Sequence, residues 1–446
     1  MICRLGALGM LALALSSCGV SVDAEQARLC RLALPALNEP GNRIVVTRTA
    51  PWLEARSIRM EYRVEREGAA PIDRYVICRF AAEGLSPNKA DLIGLSTEAG
   101  PVAGATLYLL KRFYIDTPEG VASDPGPGDR AAGLVEIPRP LAYGLQQFLG
   151  GLPRTAIYGL LAAAYALVFG LVGRFNLAFG ELAAIGAAAT AVGVGLVSAL
   201  GLTEPSAALL IGTVCAAAAA AMHGLVGGYF AIAQVAGRSG QASLIATVGL
   251  SLALMEYLRV VQGTATVWFP PLWSEAWPFV RAGDFVVGLT PVSLLTTSVG
   301  LCVGGGLVAL MRGSRFGRHW RASADDPAAA ALFGVNPRSL LFKTLALSGA
   351  VAGLAGALVV VQYGGLGFAG GFQLGLKALV AAVLGGVGSV AGAFLGGLAI
   401  GLFETLWSAT MPIEARDVAL YSVLAAVLIF RPGGFFGSQE PTPRQI

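Results

Sequence analysis

The chain is poor in charge. Asp, Glu, Lys and Arg make up 13% of its 446 residues, where a soluble globular protein carries about 25%. Hydrophobic residues make up 55%, and the mean hydropathy is +0.68. Histidine is scarce: His223 and His319 are the only two. The six cysteines form no C-x-x-C pair, so no metal or redox motif is visible. There is no G-x-x-x-x-G-K-[ST] loop to cradle phosphates, so any ATP-driven step must use another polypeptide. No nucleophile–base pair or paired carboxylates stand out, which leaves a catalytic role without support. The net charge of +4 is spread over a polar N-terminal third and a few loops. It lacks the stacking aromatics of a nucleic-acid surface.

Glycine, by contrast, is abundant, at 60 residues, and it lies inside apolar runs. Small residues let transmembrane helices approach closely, so this pattern predicts a helical bundle in lipid. Apolar segments recur near 145–172, 180–200, 206–224, 242–262, 290–312, 340–363, 376–387, 389–410 and 416–430. A spanning helix needs about 20 residues. Segment 376–387 is shorter, and it pairs with 389–410 as a re-entrant hairpin around Gly385-Gly386-Val387-Gly388-Ser389. The expected class is mainly α, a polytopic bundle of eight or nine spans, preceded by a small α+β domain. The spacings Gly349-xxx-Gly353, Gly392-xxx-Gly396 and Gly397-xxx-Gly401 predict close helix contacts.

Ahead of the bundle, residues 1–18 read as an export signal or N-terminal anchor, with Arg4 before a short apolar stretch. Leu15-Ser16-Ser17-Cys18 resembles a lipobox, which would lipidate Cys18. Val22-Asp23-Ala24 suits ordinary signal peptidase, and an uncleaved anchor is the third alternative. Residues 19–125 form an exported α+β domain. A helix is expected over 25–37, and strands over 44–49, 58–64, 75–81 and 106–115 by alternation and β-branched or aromatic content. Cys30 and Cys78 are the two cysteines it keeps, and an oxidising compartment favours a bridge between them; two buried thiols are the alternative. A Pro/Gly linker follows at 126–140. The membrane domain runs over 141–435, and a cytoplasmic tail over 436–446.

Charge orients the bundle. With 19–140 outside, the loop after the fifth span lies in the cytoplasm. It carries Arg312, Arg315, Arg318, Arg321, Arg338 and Lys343 against Asp325 and Asp326, as the positive-inside rule expects. Arg238 and the tail from Arg431 also fall inside, whereas Arg259, Arg281 and Arg416 fall outside. Within this basic loop one short helix is bounded by its own residues. Asp326 is a good N-cap and Pro327 suits the first helical position. Ala329 and Ala330 sustain the helix, and Gly334 suits the left-handed position that ends it. The helix is either a plain connector or a docking element for a soluble partner.

Ionisable groups inside spans are costly and often functional. Asn176 and Glu181 flank a helix break, where freed backbone groups can line a cavity or where Asn176 and Glu181 simply cap the second span. Glu404 sits deep in its segment as a pathway or packing residue. Glu256 and Arg259 can pair one turn apart, and Lys377 is expected to snorkel to an interface.

Several blocks, in order, resemble the branched-chain amino-acid ABC transporter permease family. ABC importer permeases carry E-A-A-x-x-x-G in the loop that meets the ATPase, and this chain reads Ala328-Ala329-Ala330-Ala331-Leu332-Phe333-Gly334. Also similar are Ala246-Thr247-Val248-Gly249-Leu250-Ser251, Asn176-Leu177-Ala178-Phe179-Gly180-Glu181, Leu347-Ser348-Gly349-Ala350-Val351-Ala352-Gly353, and Gly375-Leu376-Lys377-Ala378 through Ser389. The chain departs from the family at Ala328, where Glu is usual, at Phe179, where His is common, and in its added exported domain. The resemblance implies an inner-membrane, multi-pass permease subunit of an ABC importer. It would pair with an identical or related second permease, two ATPase subunits and a periplasmic binding protein. Its substrates would be branched-chain or other amino acids, or small amides such as urea. This chain would bind no cofactor, ATP being held by the partner subunits. The alternative is an ion-coupled secondary transporter or channel with an exported sensor domain, but no clear internal duplication is visible.

Overall fold

Asp23 sets the first element of the structure, a computed structural model. Its carboxylate accepts from the backbone N–H groups of Glu25 (2.9 Å) and Gln26 (3.3 Å), satisfying two donors that a helix start leaves free. The structure describes residues 22–436 except 53–55, 67–69, 83–87, 116, 127–133, 202–203, 235–239, 267, 270–271, 274–275, 284, 387 and 432. The expected signal, Cys18, the 437–446 tail, Arg238 and Val387 lie outside the described residues.

From that cap runs helix α1, Ala24–Ala33. It precedes an antiparallel meander of β1 (Arg43–Pro51), β2 (Ser57–Glu65), β3 (Ile72–Phe80), β4 (Leu92–Thr97) and β5 (Gly100–Pro101), paired in sequence order. Successive strand residues point to opposite faces. Ile58, Met60, Tyr62 and Val64 therefore share one face of β2, and Val76, Cys78 and Phe80 share one face of β3; all seven are buried. Ile58 pairs with Cys78 and Met60 with Val76. The core formed by these residues also takes in Ala27, Cys30 and Ala33 of α1. Cys30 and Cys78 are joined by a disulfide, with Cα atoms 5.9 Å apart. The buried Lys89 ammonium lies 3.1 Å from the capping Asp23 carboxylate.

The segment 106–115 is helical and not a strand. Helix α2, Gly104–Leu110, continues into a π-helical turn, Lys111–Ile115. Leu107 and Ile115 are buried, with Leu110 and Tyr114 packed beside them, while Tyr108, Leu109 and Phe113 are exposed. That spacing is helical, and it outweighed the β-branched and aromatic content. Strand β4 was not foreseen, because Gly94 interrupts its short apolar run. After a short helix α3 (Pro118–Ala122), strand β6 (Val135–Glu136) pairs in parallel with β7 (Trp277–Ala282), and β8 (Phe285–Leu289) completes a three-stranded sheet. Residues 273–288 thus belong to the same compact unit as the N-terminal 142. Their alternation around Ala282-Gly283 is a hairpin signal that the sequence reading passed over.

The second unit is the helical bundle. Among the described residues, seven of its helices are long and apolar enough to cross a membrane. These are α4 (Arg139–Val172), α5 (Phe179–Ala199), α6 (Pro205–Gly228, continued as a π-turn), α7 (Gly240–Gln262), α8 (Pro291–Gly313), then, after two short helices, α11 (Pro337–Tyr363) and, further on, α13 (Val390–Thr410). The two short helices are α9 (Arg315–Asp325) and α10 (Pro327–Leu332). Helix α12 (Gly370–Gly385) precedes α13, and α14 (Arg416–Phe430) follows it. With 16 residues, α12 rises only about 24 Å, short of the roughly 30 Å hydrocarbon core. It packs back against α13.

Without a hydrophobic force between helices in lipid, close packing holds such a bundle together. The glycine spacings supply it. A Cβ at Gly397 would lie 2.4 Å from the Gly159 Cα, one at Gly401 2.5 Å from the Thr155 Cα, and one at Gly396 2.3 Å from the Ala381 carbonyl oxygen. Gly349 and Gly353 meet the α6 backbone at Ala220 and Ala216 in the same way. Helix α4 is buried along most of its apolar stretch and forms the core that α13 and α8 grip.

Candidate functional site

The basic loop folds as two helices, where the sequence predicted one. Ser314 caps α9, its hydroxyl accepting from the Gly317 N–H at 3.0 Å. Gly317, Trp320, Ser323 and Ala324 are buried, while Arg315, Arg318, His319 and Arg321 face outward. Those three- and four-residue steps make an amphipathic helix, a signal hidden by the attention the basic residues draw. Trp320 anchors it: its indole N–H donates to the Leu167 carbonyl of α4 at 2.9 Å. The ring fills the space left by Gly170, where a Cβ would come within 2.4 Å.

Helix α10 follows directly. The Asp326 carboxylate accepts from the N–H groups of Ala328 and Ala329, both at 2.9 Å, and Pro327 takes the first position. At the other end Gly334 adopts φ +87°, a left-handed conformation that costs glycine no Cβ clash. The Val335 N–H then reaches the Ala330 carbonyl and the Gly334 N–H the Ala331 carbonyl, the paired closing bonds of a Schellman motif. Ala330 is buried and Ala329 half-buried. The consequence lies beside the cap. Leu332 is 88% and Phe333 90% exposed, two large apolar side chains displayed on a rigid, six-residue helix.

Inside the bundle, the predicted residues fall into two separate polar clusters. Asn176 and Glu181 share the first, at the break between α4 and α5. Asn176 Oδ1 accepts from the Ala178 N–H at 3.1 Å, which shapes the turn. Glu181 is fully buried, and neither carboxylate oxygen has a hydrogen-bond partner among the described residues. The Ser251 hydroxyl of α7 lies beside it. The Tyr165 ring of α4 packs tilted against Phe179, with centroids 4.8 Å apart, and its buried hydroxyl is likewise unpartnered. Helix α12 approaches both groups through glycine: a Cβ at Gly371 would sit 2.8 Å from Glu181 Oε2, and one at Gly375 3.4 Å from the Tyr165 hydroxyl. Ser243, Thr247 and Ser251 are buried at four-residue steps along α7, a stripe that the sequence shows and the reading missed.

Glu404 belongs to the second cluster. Tyr158 donates its hydroxyl proton to Glu404 Oε2 at 3.0 Å, and Lys377 Nζ lies 2.6 Å from Oε1. The expectation that Lys377 snorkels outward is corrected. Its ammonium turns to the buried Glu404 and bridges to Asp417 at 3.1 Å, because ionic pairing inside the bundle outweighs reaching for an interface. Arg154 and Tyr363 interact with the same group of side chains. Glu256 and Arg259 do pair, both about half exposed. Among the described residues no three His, Cys, Asp or Glu side chains gather as metal ligands would.

A chain with seven apolar helices among its described residues and a separately capped, basic loop has clear relatives. Residues 147–430 match the family described as "Branched-chain amino acid transport system / permease component". The high-affinity branched-chain amino acid transport system permease protein LivH of Escherichia coli K12 is 32% identical over 298 residues, covering 67% of this chain and 97% of that relative. Its counterpart BraD of Pseudomonas aeruginosa is 31% identical over 296 residues, 66% and 96% respectively. The autoinducer 2 import system permease protein LsrC of Shigella flexneri is 28% identical over 225 residues, 48% of this chain and 62% of that one. No solved structure matches the chain. The family match covers most of the bundle, and the chain belongs to the branched-chain amino acid transport system permease family.

Proposed function

We propose that this permease forms half of the membrane channel of an ATP-driven importer for branched-chain or related amino acids. The observation that carries the reading is α10, a short helix capped at both ends that displays Leu332 and Phe333 bare beside an arginine-rich helix. An apolar pair with a polar rim is what a partner protein's groove takes up. The partner is an ATPase subunit, one under each permease half, and ATP is bound there. A second permease, identical or related, completes the channel, and a periplasmic binding protein delivers the substrate. The chain lies in the inner membrane with residues 19–140 periplasmic and the docking loop and C-terminus cytoplasmic, an orientation supported by the charge of the 312–343 loop.

The mechanism is alternating access. Closure of the ATPase dimer pulls α10. Helix α9 transmits the pull, because Trp320 is keyed into α4 at Leu167 and Gly170, and α4 is the helix on which α8 and α13 pack. Asn176 and Glu181 at the α4–α5 break, with Glu404, line or flank the path that opens.

Affinity purification from native membranes in mild detergent tests this reading. An ATPase subunit in stable stoichiometry supports it, and the accompanying binding protein narrows the substrate. Recovery of the chain alone, from a preparation in which a known ABC complex survives, would favour an ion-coupled transporter.

A further inference from the structure

Glu181 is the most anomalous polar group in the bundle. A carboxylate withdrawn from water is costly unless it is paired and hydrogen-bonded. Its residue is 0% exposed and both oxygens lack a partner among the described residues. Among the described residues, Ser251 and Tyr165 are the side chains that interact with it, and neither is a lysine or arginine. The second cluster is the contrast, since there Glu404 holds a lysine and a tyrosine hydroxyl. The bundle therefore gives one buried carboxylate a lysine counter-ion and leaves the other without a hydrogen-bond partner among the described residues.

The surroundings of the open one are also built. Tyr165 brings a second unpartnered, buried group, its hydroxyl, to the same glycine face of α12. That face is bare of side chains at Gly371 and Gly375, one turn apart. Ser251 adds a third oxygen from α7. Three helices thus direct oxygens able to accept, a carboxylate and two hydroxyls, at a place to which α12 brings only glycine. An alkylammonium group has three N–H donors and a positive charge, and it matches this set: carboxylate for the charge, hydroxyls for the remaining donors.

We propose that Glu181, with Tyr165 and Ser251, forms a subsite for the ammonium group of the transported amino acid. The assignment rests on the importer reading above and adds the part of the substrate that the membrane subunit itself recognises. The site is occluded here, and it becomes accessible as α5 and α12 move during the transport cycle.

The test is leucine uptake by the complete complex in proteoliposomes. Glu181→Gln keeps the shape and removes the charge, and uptake is expected to fall by about ten- to a hundredfold, the worth of a hydrogen bond to a charged group. Glu181→Asp, which keeps the charge, restores part of it. Uptake by Glu181→Gln equal to that of the wild type overturns the proposal. If Glu181→Gln does not assemble, Tyr165→Phe and Ser251→Ala remove only hydroxyls and are each expected to slow uptake severalfold; wild-type rates in both overturn it. Should the wild type carry no amino acid, the importer reading fails on its own. The subsite is then read by thermal stabilisation of the purified complex with 3-methylbutylammonium chloride. Stabilisation of the wild type that is lost in Glu181→Gln supports it, and no stabilisation of the wild type overturns it.

Discussion

Lys377 and Glu404 show how much one buried pair can weigh. The carboxylate is 1% exposed and the ammonium 13%, so each depends on the other to offset lost hydration. Lys377→Met leaves Glu404 without its paired ammonium, and it should destabilise the bundle by about 3–5 kcal/mol. Adding Glu404→Gln should recover much of that loss. Thermal unfolding of the detergent-purified protein, followed through the full double-mutant cycle, measures the difference. Gly397 makes a steric counterpart. A side chain there meets the α4 backbone at Gly159, which cannot step aside as a flexible side chain could. Gly397→Val should cost at least the roughly 1–3 kcal/mol of an overpacked core, seen as a lower yield of folded protein and a lower Tm.

At the scale of elements, α10 is a rigid display and α1 a stapled one. Leu332 and Phe333 are bare in this chain, so their replacement by serine should leave the fold and Tm unchanged. ATPase co-purification should nevertheless fall by more than about tenfold, the loss expected when an interface anchor is truncated. Asp326→Ala removes a cap worth about 0.5–2 kcal/mol and should weaken docking less, by loosening the helix. Gly334→Pro breaks the closing turn, and uptake at wild-type rates in that variant would count against the coupling role. In the first unit, the Cys30–Cys78 bridge closes a loop of 48 residues. Chain entropy gives such a bridge about 4 kcal/mol of stabilisation. Cys30→Ala with Cys78→Ala should make the sheet far more susceptible to protease while the helical bundle resists, and gel mapping of the fragments separates the two.

The whole molecule joins two compact units of opposite composition, and each was legible to a different degree. The bundle was read well because the rule for lipid is simple: about 20 apolar residues with the backbone satisfied internally. Gly349, Gly353, Gly397 and Gly401 were read as packing residues, and they lie at backbone contacts. The first unit was harder. Residues 106–115 combine aromatic and branched side chains with helical spacing, and local propensity alone pointed to a strand. Strands β7 and β8, distant in sequence, complete a sheet begun at β6, which no local pattern announces. The chain as a whole carries no phosphate-binding loop. Purified by itself it should hydrolyse no ATP, and hydrolysis should appear only when the separate ATPase subunit is added, as a phosphate-release assay would show.

Sequence alone determined the membrane class, the positions of the long helices, both ends of α10 and the family. Each of these follows from composition, caps or ordered motifs within a short stretch of chain, where local physics decides. Tertiary structure decided the rest. It assigned Lys377 to Glu404 and left Glu181 unpartnered. It keyed Trp320 into α4, and it stripped Leu332 and Phe333 of neighbours. Those are properties of side chains brought together across tens or hundreds of residues, and whether a buried charge has a partner depends on which helices pack beside it.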